Sequence, residues 1–375
     1  MTLSEQICQD INRKFYFDDF VLTNLYYTKA GVKMEICDGL IEFQNIYIIV
    51  QVKEKSTHDD TLDNYLKWLE KKVYKKAVSQ IKDTIHVLQN EKNLIVEDMH
   101  GQTVIIDSSK RIIPVIIFKT DKTFDYRKVY HSVNNDININ IFSIADYQTM
   151  MSILKMPIDI TEYLCSRAEI FKSSNVDLVV DDSKDNWLAL GRIKSETDFA
   201  NFFIGNRIKD ASVDEIATYD FLNIISKYYS KRTNNNPEYK QIINRMLCLD
   251  RLGAKYFMER WNKCWDDAKN KTLRYQYRMI MQNQYEKFGF LFVSSKKGIK
   301  EDDNNFYAYI GNLFVQKYEL DTAIIIINYY EGGGNFLVNW LMLSRPYSPD
   351  MELLQTLKEL NLWEYDKAMH KKPRE

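Results

Sequence analysis

The feature of this sequence that most restricts its fold is an apolar run, residues 46–54, that carries the polar residues Gln51, Lys53 and Glu54 near its end. Side chains of a strand alternate between two faces, so Gln51 and Lys53 share one face and the residues at 48, 50 and 52 share the other. A polar pair inside an otherwise buried strand costs free energy unless its groups are satisfied. The run therefore predicts a central strand with a polar spot near its end.

The preceding run, residues 34–43, predicts a second strand that pairs with the first. Gln44 and Asn45 between them are suited to a tight turn. A hairpin of this kind brings Asp38 to the same end of the sheet as Gln51 and Lys53. An acid, an amide and an amine are thus predicted to meet there.

The first 157 residues predict an α/β domain, a mixed sheet with flanking helices. Apolar side chains recur at helical spacing over 61–88, and Pro114 suggests an edge or a bulge in the run that contains it. Pro157 is the predicted domain boundary. The remaining predicted elements are helices over 4–15 and 145–155, and strands over 20–28, 104–107, 112–119 and 137–143.

A second domain is predicted over residues 158–375, because 375 residues exceed the usual size of one domain. Its pattern is that of a mainly helical α+β domain with a small sheet. The predicted helices cover 214–229, 237–270 and 351–360, and the predicted strands cover 288–294 and 322–329.

Composition excludes several classes of protein. The 50 aromatic residues argue against disorder, and no apolar run approaches the ~20 residues that span a bilayer. The five cysteines form no CxxC pair, which argues against a zinc site or a disulfide framework and favours a cytoplasmic protein. A net charge of −1 lacks the basic excess of a dedicated nucleic-acid binder, although a local patch can suffice.

The polar residues of the hairpin form a recognisable pattern. Asp38-Gly39 is followed by Gln51-x-Lys53, with twelve residues between Asp38 and Gln51. This arrangement resembles the PD-(D/E)XK nuclease superfamily, with its restriction-endonuclease-like fold, in the Mrr-type variant that carries Gln. The segment 76–81 is similar to the helix that follows the motif in that family, and Gln80 is its matching position. The resemblance covers about residues 1–157.

The resemblance implies a metal-dependent endonuclease that hydrolyses phosphodiester bonds, in DNA first and in RNA second, with a role in restriction or anti-phage defence. It implies Asp38, Gln51 and Glu5 as ligands of Mg²⁺ or Mn²⁺, and Asp38, Gln51, Lys53 and Gln80 as the catalytic set. A hard cation prefers such oxygen ligands. Lys53 would position the attacking water and stabilise negative charge. Gln51 is neutral where many members carry an acid, which leaves the metal site short of carboxylates.

Two clusters of cations are candidates for contact with nucleic acid. Lys72 and Lys76 belong to a run of lysines on the predicted helix after the motif; a solvated helix face is the better explanation of Lys72, and Lys76 is the better candidate for the site. Arg274 and Arg278 alternate with tyrosines, a composition that suits base stacking and phosphate contact. An amphipathic helix with its arginines reaching toward solvent is the alternative for the second cluster.

Two interpretations of function therefore stay open at this point. In the first, the chain is a nuclease whose C-terminal domain selects substrate or senses a partner. In the second, the fold is a scaffold with weak or no catalysis that acts through protein–protein or nucleic-acid binding. The expected partner is nucleic acid, DNA first and RNA second, with a homo-oligomer or a protein of a defence system as a further partner and no membrane.

Overall fold

The computed structural model describes residues 1–55, 61–91, 93–98, 101, 103–120, 126–132, 137–171, 195–205, 222, 224, 237–282, 286–296 and 304–363. The chain divides into two compact units. The first comprises Met1–Ser212, Leu222–Asn234 and Ile243–Asp250, and the second comprises Val213–Phe221, Asn235–Ile242 and Arg251–Glu375. The boundary predicted at Pro157 therefore falls inside the first unit.

A mixed sheet forms the centre of the first unit and confirms its α/β class. In the described residues its eight strands run in the order β5-β4-β1-β2-β3-β6-β8-β7. Strand β6 pairs in parallel with β3 and β8, and the other neighbours are antiparallel. The strands are β1 (Val21–Lys29), β2 (Val32–Phe43), β3 (Ile46–Lys53), β4 (Ile95–Glu97), β5 (Thr103–Ile105), β6 (Arg111–Phe118), β7 (Val129–Ser132) and β8 (Ile137–Ser143).

Helices cover this sheet. The long helix predicted after β3 is present as α2 (Leu62–Trp68), a π-helical stretch (Leu69–Ala77) and α3 (Val78–Asn90) in direct succession. Its apolar side chains, among them Val73, Ile81 and Leu88, pack on the sheet residues Leu40 and Ile49. The remaining helices of the described chain before residue 250 are α1 (Leu3–Tyr16), α4 (Ile144–Leu154), α5 (Pro157–Ile170), α6 (Glu196–Gly205) and α7 (Pro237–Leu247), the last divided between the units.

The hairpin of β2 and β3 forms as predicted. Phe43 pairs with Ile46, and the two-residue turn between them places Gln44 at a φ of 50°. β3 lies in the middle of the sheet, with β2 on one side and β6 on the other. Its residues are almost all buried, as its apolar composition requires.

The second unit contains more β-structure than predicted. A four-stranded sheet in the order β12-β11-β10-β9 lies between α8 (Arg251–Lys269) and α9 (Asn304–Tyr318). Phe257 of α8 contacts the rings of Phe290 and Phe292 at centroid distances of 5.0 and 5.1 Å. The strands are β9 (Arg274–Gln282), β10 (Lys287–Ser295), β11 (Thr322–Gly332) and β12 (Asn335–Ser344), and α10 (Met351–Glu359) follows them.

Several predictions need correction. The predicted strands over 288–294 and 322–329 are confirmed as β10 and β11, but β9, β12 and α9 were not predicted. The single helix predicted over 237–270 is wrong, because α7 ends at Leu247 and α8 begins at Arg251. The helix predicted over 214–229 lies outside the described residues, apart from Leu222 and Ile224. Among the described helices, none has the length and apolarity to cross a membrane.

Candidate active site

Three predicted residues meet on one face of the β2–β3 hairpin. Gly39 pairs with Val50 in the antiparallel register, which places Asp38 opposite Gln51. Lys53 lies two residues beyond Gln51 and points to the same face. Asp38 and Gln51 are buried, with exposed fractions of 7% and 5%, whereas Lys53 is partly exposed. The sequence-based grouping of the acid, the amide and the amine is thus present.

The Asp38 carboxylate is anchored through one oxygen. Its Oδ2 accepts a 2.6 Å hydrogen bond from the backbone N–H of Val52 and a second bond from Gln51 Nε2. Burial raises the pKa of Asp38 to about 7, while the Val52 hydrogen bond and the charge of Lys53 oppose that rise. Asp38 therefore titrates near neutral pH, and it can either carry a negative charge or hold a proton there.

Lys53 experiences the converse effect. Burial lowers its pKa from the usual lysine value, the charge of Lys76 adds to the lowering, and the charge of Asp38 opposes it. Its ammonium makes no hydrogen bond or ion pair with the described residues. Two groups whose environments move their pKa values toward each other, side by side, are typical of a site of proton transfer or charge stabilisation.

Glu35 is a neighbour of the site that sequence reasoning placed elsewhere. Strict alternation puts it on the face opposite Asp38, but β2 has a bulge: Leu25 pairs with Cys37, and the next residue of β1, Tyr26, pairs with Glu35. Ile36 is the extra residue, so the alternation is interrupted between Glu35 and Asp38. The charge of Glu35 raises the pKa of both Asp38 and Lys53.

The helix over this face brings Gln80 toward the hairpin. Thr84 donates hydrogen bonds from its hydroxyl to the carbonyl oxygens of Ile36, at 2.5 Å, and Gln80, at 2.9 Å, which fixes α3 against β2 at the bulge. Gln80 lies one turn before Thr84 on the same helix face. Its side-chain Oε1 is buried and has no hydrogen-bond partner among the described residues. An orphaned acceptor of this kind is unfavourable until something binds it.

Glu5 is close to the site but is already engaged. Its carboxylate accepts a 2.7 Å hydrogen bond from the backbone of Thr2, and the Thr2 hydroxyl caps the backbone of Glu5, a reciprocal capping box at the start of α1. Its charge still raises the pKa values of Asp38 and of Cys8, the latter to about 12 mainly through burial. Glu5 as a metal ligand stays a prediction, and ligation would compete with the cap.

The side chains offer oxygen donors of the type that a hard divalent cation prefers. They are the carboxylate of Asp38 and the amide oxygens of Gln51 and Gln80. Gln51 turns its Nε2 toward Asp38, so ligation through its oxygen requires the amide to rotate, whereas Gln80 Oε1 has no hydrogen-bond partner among the described residues. Mg²⁺ keeps several waters and is commonly bound through one or two carboxylates together with substrate phosphate. Within the described residues, however, no group of three or more His, Cys, Asp or Glu side chains is placed to hold a metal. A cation here would therefore depend on amide oxygens, water and substrate.

The four cations predicted to contact nucleic acid fall in different environments. Lys76 is exposed and near enough to Lys53 to lower its pKa, so it belongs to the site. Lys72 is half-buried in the π-helical stretch, and no contact connects it to Asp38 or Lys53. Arg274 is exposed on β9 of the second unit.

Arg278 is different from the other three, because it is only 3% exposed. Its Nε donates a 2.6 Å hydrogen bond to the Tyr318 hydroxyl, and its guanidinium lies 5.4 Å from the ring centre of Trp363. This arginine is enclosed by side chains of the second unit, which argues against its predicted contact with nucleic acid. The amphipathic-helix alternative is also wrong, because the segment is strand β9.

Comparison with known proteins leaves the chain without an assigned relative: no protein-family model, no curated protein and no solved structure matches it.

Proposed function

We propose that this chain is a metal-dependent nuclease that hydrolyses phosphodiester bonds, with DNA as the first-choice substrate and RNA as the second. The observation that carries the proposal is the placement of Asp38, Gln51 and Lys53 on one face of neighbouring strands, with the pKa of the acid raised and that of the amine lowered. The likeness of these residues to the PD-(D/E)XK pattern supports it.

Each side chain then has a role that follows from its chemistry. Asp38 and the amide oxygen of Gln51 would hold Mg²⁺ or Mn²⁺, which when bound polarises a phosphate and lowers the pKa of a coordinated water. Lys53 is partly exposed, and its ammonium has no hydrogen-bond or ion-pair partner among the described residues, so it can orient the attacking water and stabilise charge that develops on the phosphate. Lys76, exposed one turn before Gln80, would contact the phosphate backbone.

The free-energy cost of burying these polar groups also supports a catalytic role for them over a purely structural one. A buried carboxylate whose pKa is raised to about 7 lowers the stability of the fold at neutral pH. An orphaned oxygen on Gln80 adds a further cost. A packed apolar interior would avoid both, whereas a site that binds a cation and a phosphate uses these groups.

A non-catalytic scaffold is the second candidate, and one observation favours it. Asp38 Oδ2 is already satisfied by Val52 and Gln51, so the pair is complete without any metal. Under that interpretation the polar spot stabilises the hairpin, and the chain acts through binding.

A metal titration combined with a cleavage assay distinguishes the nuclease from the non-catalytic scaffold. Purified full-length chain is titrated with Mn²⁺ and Mg²⁺ by calorimetry, and the same preparation is incubated with plasmid DNA and with structured RNA. The nuclease proposal expects saturable metal binding and metal-dependent cleavage, both abolished by EDTA. If the chain neither binds metal nor cleaves DNA or RNA, the nuclease proposal is wrong and the scaffold candidate is the one that is left.

A further inference from the structure

A second polar feature of the first unit lies away from the Asp38 site, beside the beginnings of β6 and β8. It is a cavity of about 530 Å³ between α3, α5 and these two strands. That volume is within the ~300–1,000 Å³ range of pockets that bind small ligands. Lys53 pairs with Phe118 at the other end of β6, so the cavity and the candidate active site lie at opposite ends of that strand.

The cavity has a cause in the sequence, namely Pro114. The backbone N–H of Arg111 donates to the carbonyl of Asn45, just before β3, and that of Lys119 donates to the carbonyl of Lys53, the last residue of β3. Odd-numbered residues of β6 therefore bond toward β3. Even-numbered residues consequently face β8, and Pro114 has no N–H to donate to it. The β6–β8 ladder begins only at the next residue, where Val115 pairs with Asn140.

The correction to the sequence prediction follows from this geometry. Pro114 does not mark an edge strand, because β6 has a neighbour on each side. It marks the point before which β6 and β8 are unpaired, and the cavity lies there, lined by Pro114 itself and by Ile112 and Ile137.

Cations predominate among the charged groups that line the cavity. Arg111 is exposed, and its guanidinium makes no hydrogen bond or ion pair with the described residues. The Lys82 ammonium lies over the ring of Tyr130, 5.3 Å from its centre, and His86 lies on the next turn of the same helix. Glu169 is the one acid in the lining of this pocket, and Asn138 donates a 3.0 Å hydrogen bond to it.

The rest of the lining is divided between flat apolar surface and amides. Ile112, Pro114 and Ile137 come from the strands, and Leu164 and Ala168 come from α5. Gln89 and Asn90 add amide groups at the end of α3. Such apolar side chains can pack against a ring, and the amides can bond to the polar edge of that ring. The cations would take a compact anion attached to it.

We propose that this cavity binds a small organic phosphate of the nucleoside monophosphate class. The phosphate is held by Arg111 and Lys82, and the base lies on the apolar residues around Pro114. The inference goes beyond the proposed nuclease activity and does not depend on it, because none of the lining residues belongs to the Asp38 site.

The test is binding to the full-length chain in EDTA, so that no metal-dependent cleavage can contribute. Calorimetry is carried out with AMP, GMP, CMP and UMP, and with adenosine and inorganic phosphate as partial ligands. At least one monophosphate should bind saturably at one site, and the nucleoside and phosphate alone should each bind at least about tenfold more weakly. The Arg111→Ala change should weaken binding by a similar factor.

Arg127→Ala is the matched control, since Arg127 is exposed in the same unit and lies against Tyr74 instead of the cavity. It should leave the affinity unchanged. A second readout is the rate of maleimide modification of two half-buried cysteines. Bound ligand should slow modification of Cys165, which lines the cavity, and not of Cys248.

Three results would overturn the proposal. The first is that no monophosphate binds saturably at millimolar concentration. The second is that adenosine binds as tightly as AMP, because Arg111 and Lys82 would then contribute nothing to the affinity. The third is that Arg111→Ala binds as tightly as the parent chain, with modification of Cys165 unprotected.

Discussion

The backbone N–H of Val52 donates a 2.6 Å hydrogen bond to Oδ2 of Asp38, across the two central strands of the hairpin. This bond fixes the carboxylate at the point where β3 carries its two polar side chains. It also opposes the effect of burial, which raises the pKa of Asp38 to about 7. The carboxylate is thus held in place yet can change protonation near neutral pH. This behaviour, and the groups around the carboxylate, can be tested by changing Asp38, Gln51, Lys53 and Gln80 one at a time.

The Asp38→Asn change should stabilise the fold at pH 8 and have little effect at pH 4. Because the folded-state pKa is raised, the native protein binds more protons than the unfolded chain between about pH 4 and 7, and stability falls as pH rises through that window. The asparagine oxygen can still accept from Val52. A shift from 3.8 to about 7 corresponds to at most ~4 kcal/mol at ~1.4 kcal/mol per pH unit.

Thermal unfolding of both proteins from pH 4 to 8 measures this difference. The gap in Tm should widen with pH in favour of Asn. A gap that is constant with pH, or that favours the parent at pH 8, would mean that Asp38 is not the buried, raised-pKa acid described above.

The Gln51→Glu change should lower the stability of the metal-free protein and increase the stability that the protein gains when it binds metal. It places a second carboxylate beside Asp38 and removes the Nε2–H donor that Asp38 now accepts from. A cation between the two acids would offset that repulsion. The rise in Tm on adding Mn²⁺ should therefore be larger in the variant than in the parent, and an equal rise would show that Gln51 does not face the ion.

The Lys53→Met change should reduce cleavage by ~10²–10³, the usual cost of losing one preorganised charge-stabilising group. Metal affinity should fall much less, because an ammonium is not a ligand. Methionine retains most of the aliphatic stem, so the fold should persist. Lys71→Met on the exposed face of the π-helical stretch is the control, and it should cleave at the parent rate. Equal losses in both variants would point to a general charge effect.

The Gln80→Leu change should leave Tm unchanged or raise it while cleavage falls. Its Oε1 is buried without a hydrogen-bond partner in the described part of the chain, so a side chain of similar size without polar atoms removes a cost of ~1–3 kcal/mol. A purely structural Gln80 would show the opposite result, a lower Tm. Thermal unfolding and single-turnover cleavage of the same preparation distinguish the two roles.

Much of the Asp38 site could be predicted from the sequence because strand alternation is a strict geometric rule. Gln51 and Lys53 are two residues apart, and the Gln44-Asn45 turn sets the register that places Asp38 opposite Gln51. The long amphipathic helix was predictable for a similar reason, since its apolar side chains recur at spacings of three and four residues, although that pattern did not indicate the π-helical stretch in its middle.

Glu35 could not be predicted, because the bulge that interrupts the alternation has no marker in the sequence. The bulge is formed around Ile36 with no glycine beside it, and Ile36 and Cys37 are both buried. Only the pairing partners on β1 define it. One inserted residue in a strand is enough to invalidate a face assignment that is made by counting.

Arg278 shows a second limit, the effect of tertiary packing on a local pattern. Its alternation with tyrosines suits either an exposed binding surface or a strand that is covered on one side. The choice is made by Tyr318 and Trp363, which are distant in sequence and enclose the guanidinium. The extent of β9 and β12 depends in the same way on partners that the local pattern does not contain.

Cleavage of plasmid DNA and structured RNA by the full-length chain and by Asp38→Asn, at pH 8 with and without Mn²⁺, tests the central claim most directly. The parent should cleave at least one substrate in a metal-dependent manner, and Asp38→Asn should not, although it is folded and at least as stable at that pH. A variant that cleaves as fast as the parent, or a parent that cleaves neither substrate, would contradict the assignment of Asp38, Gln51 and Lys53 as a nuclease site.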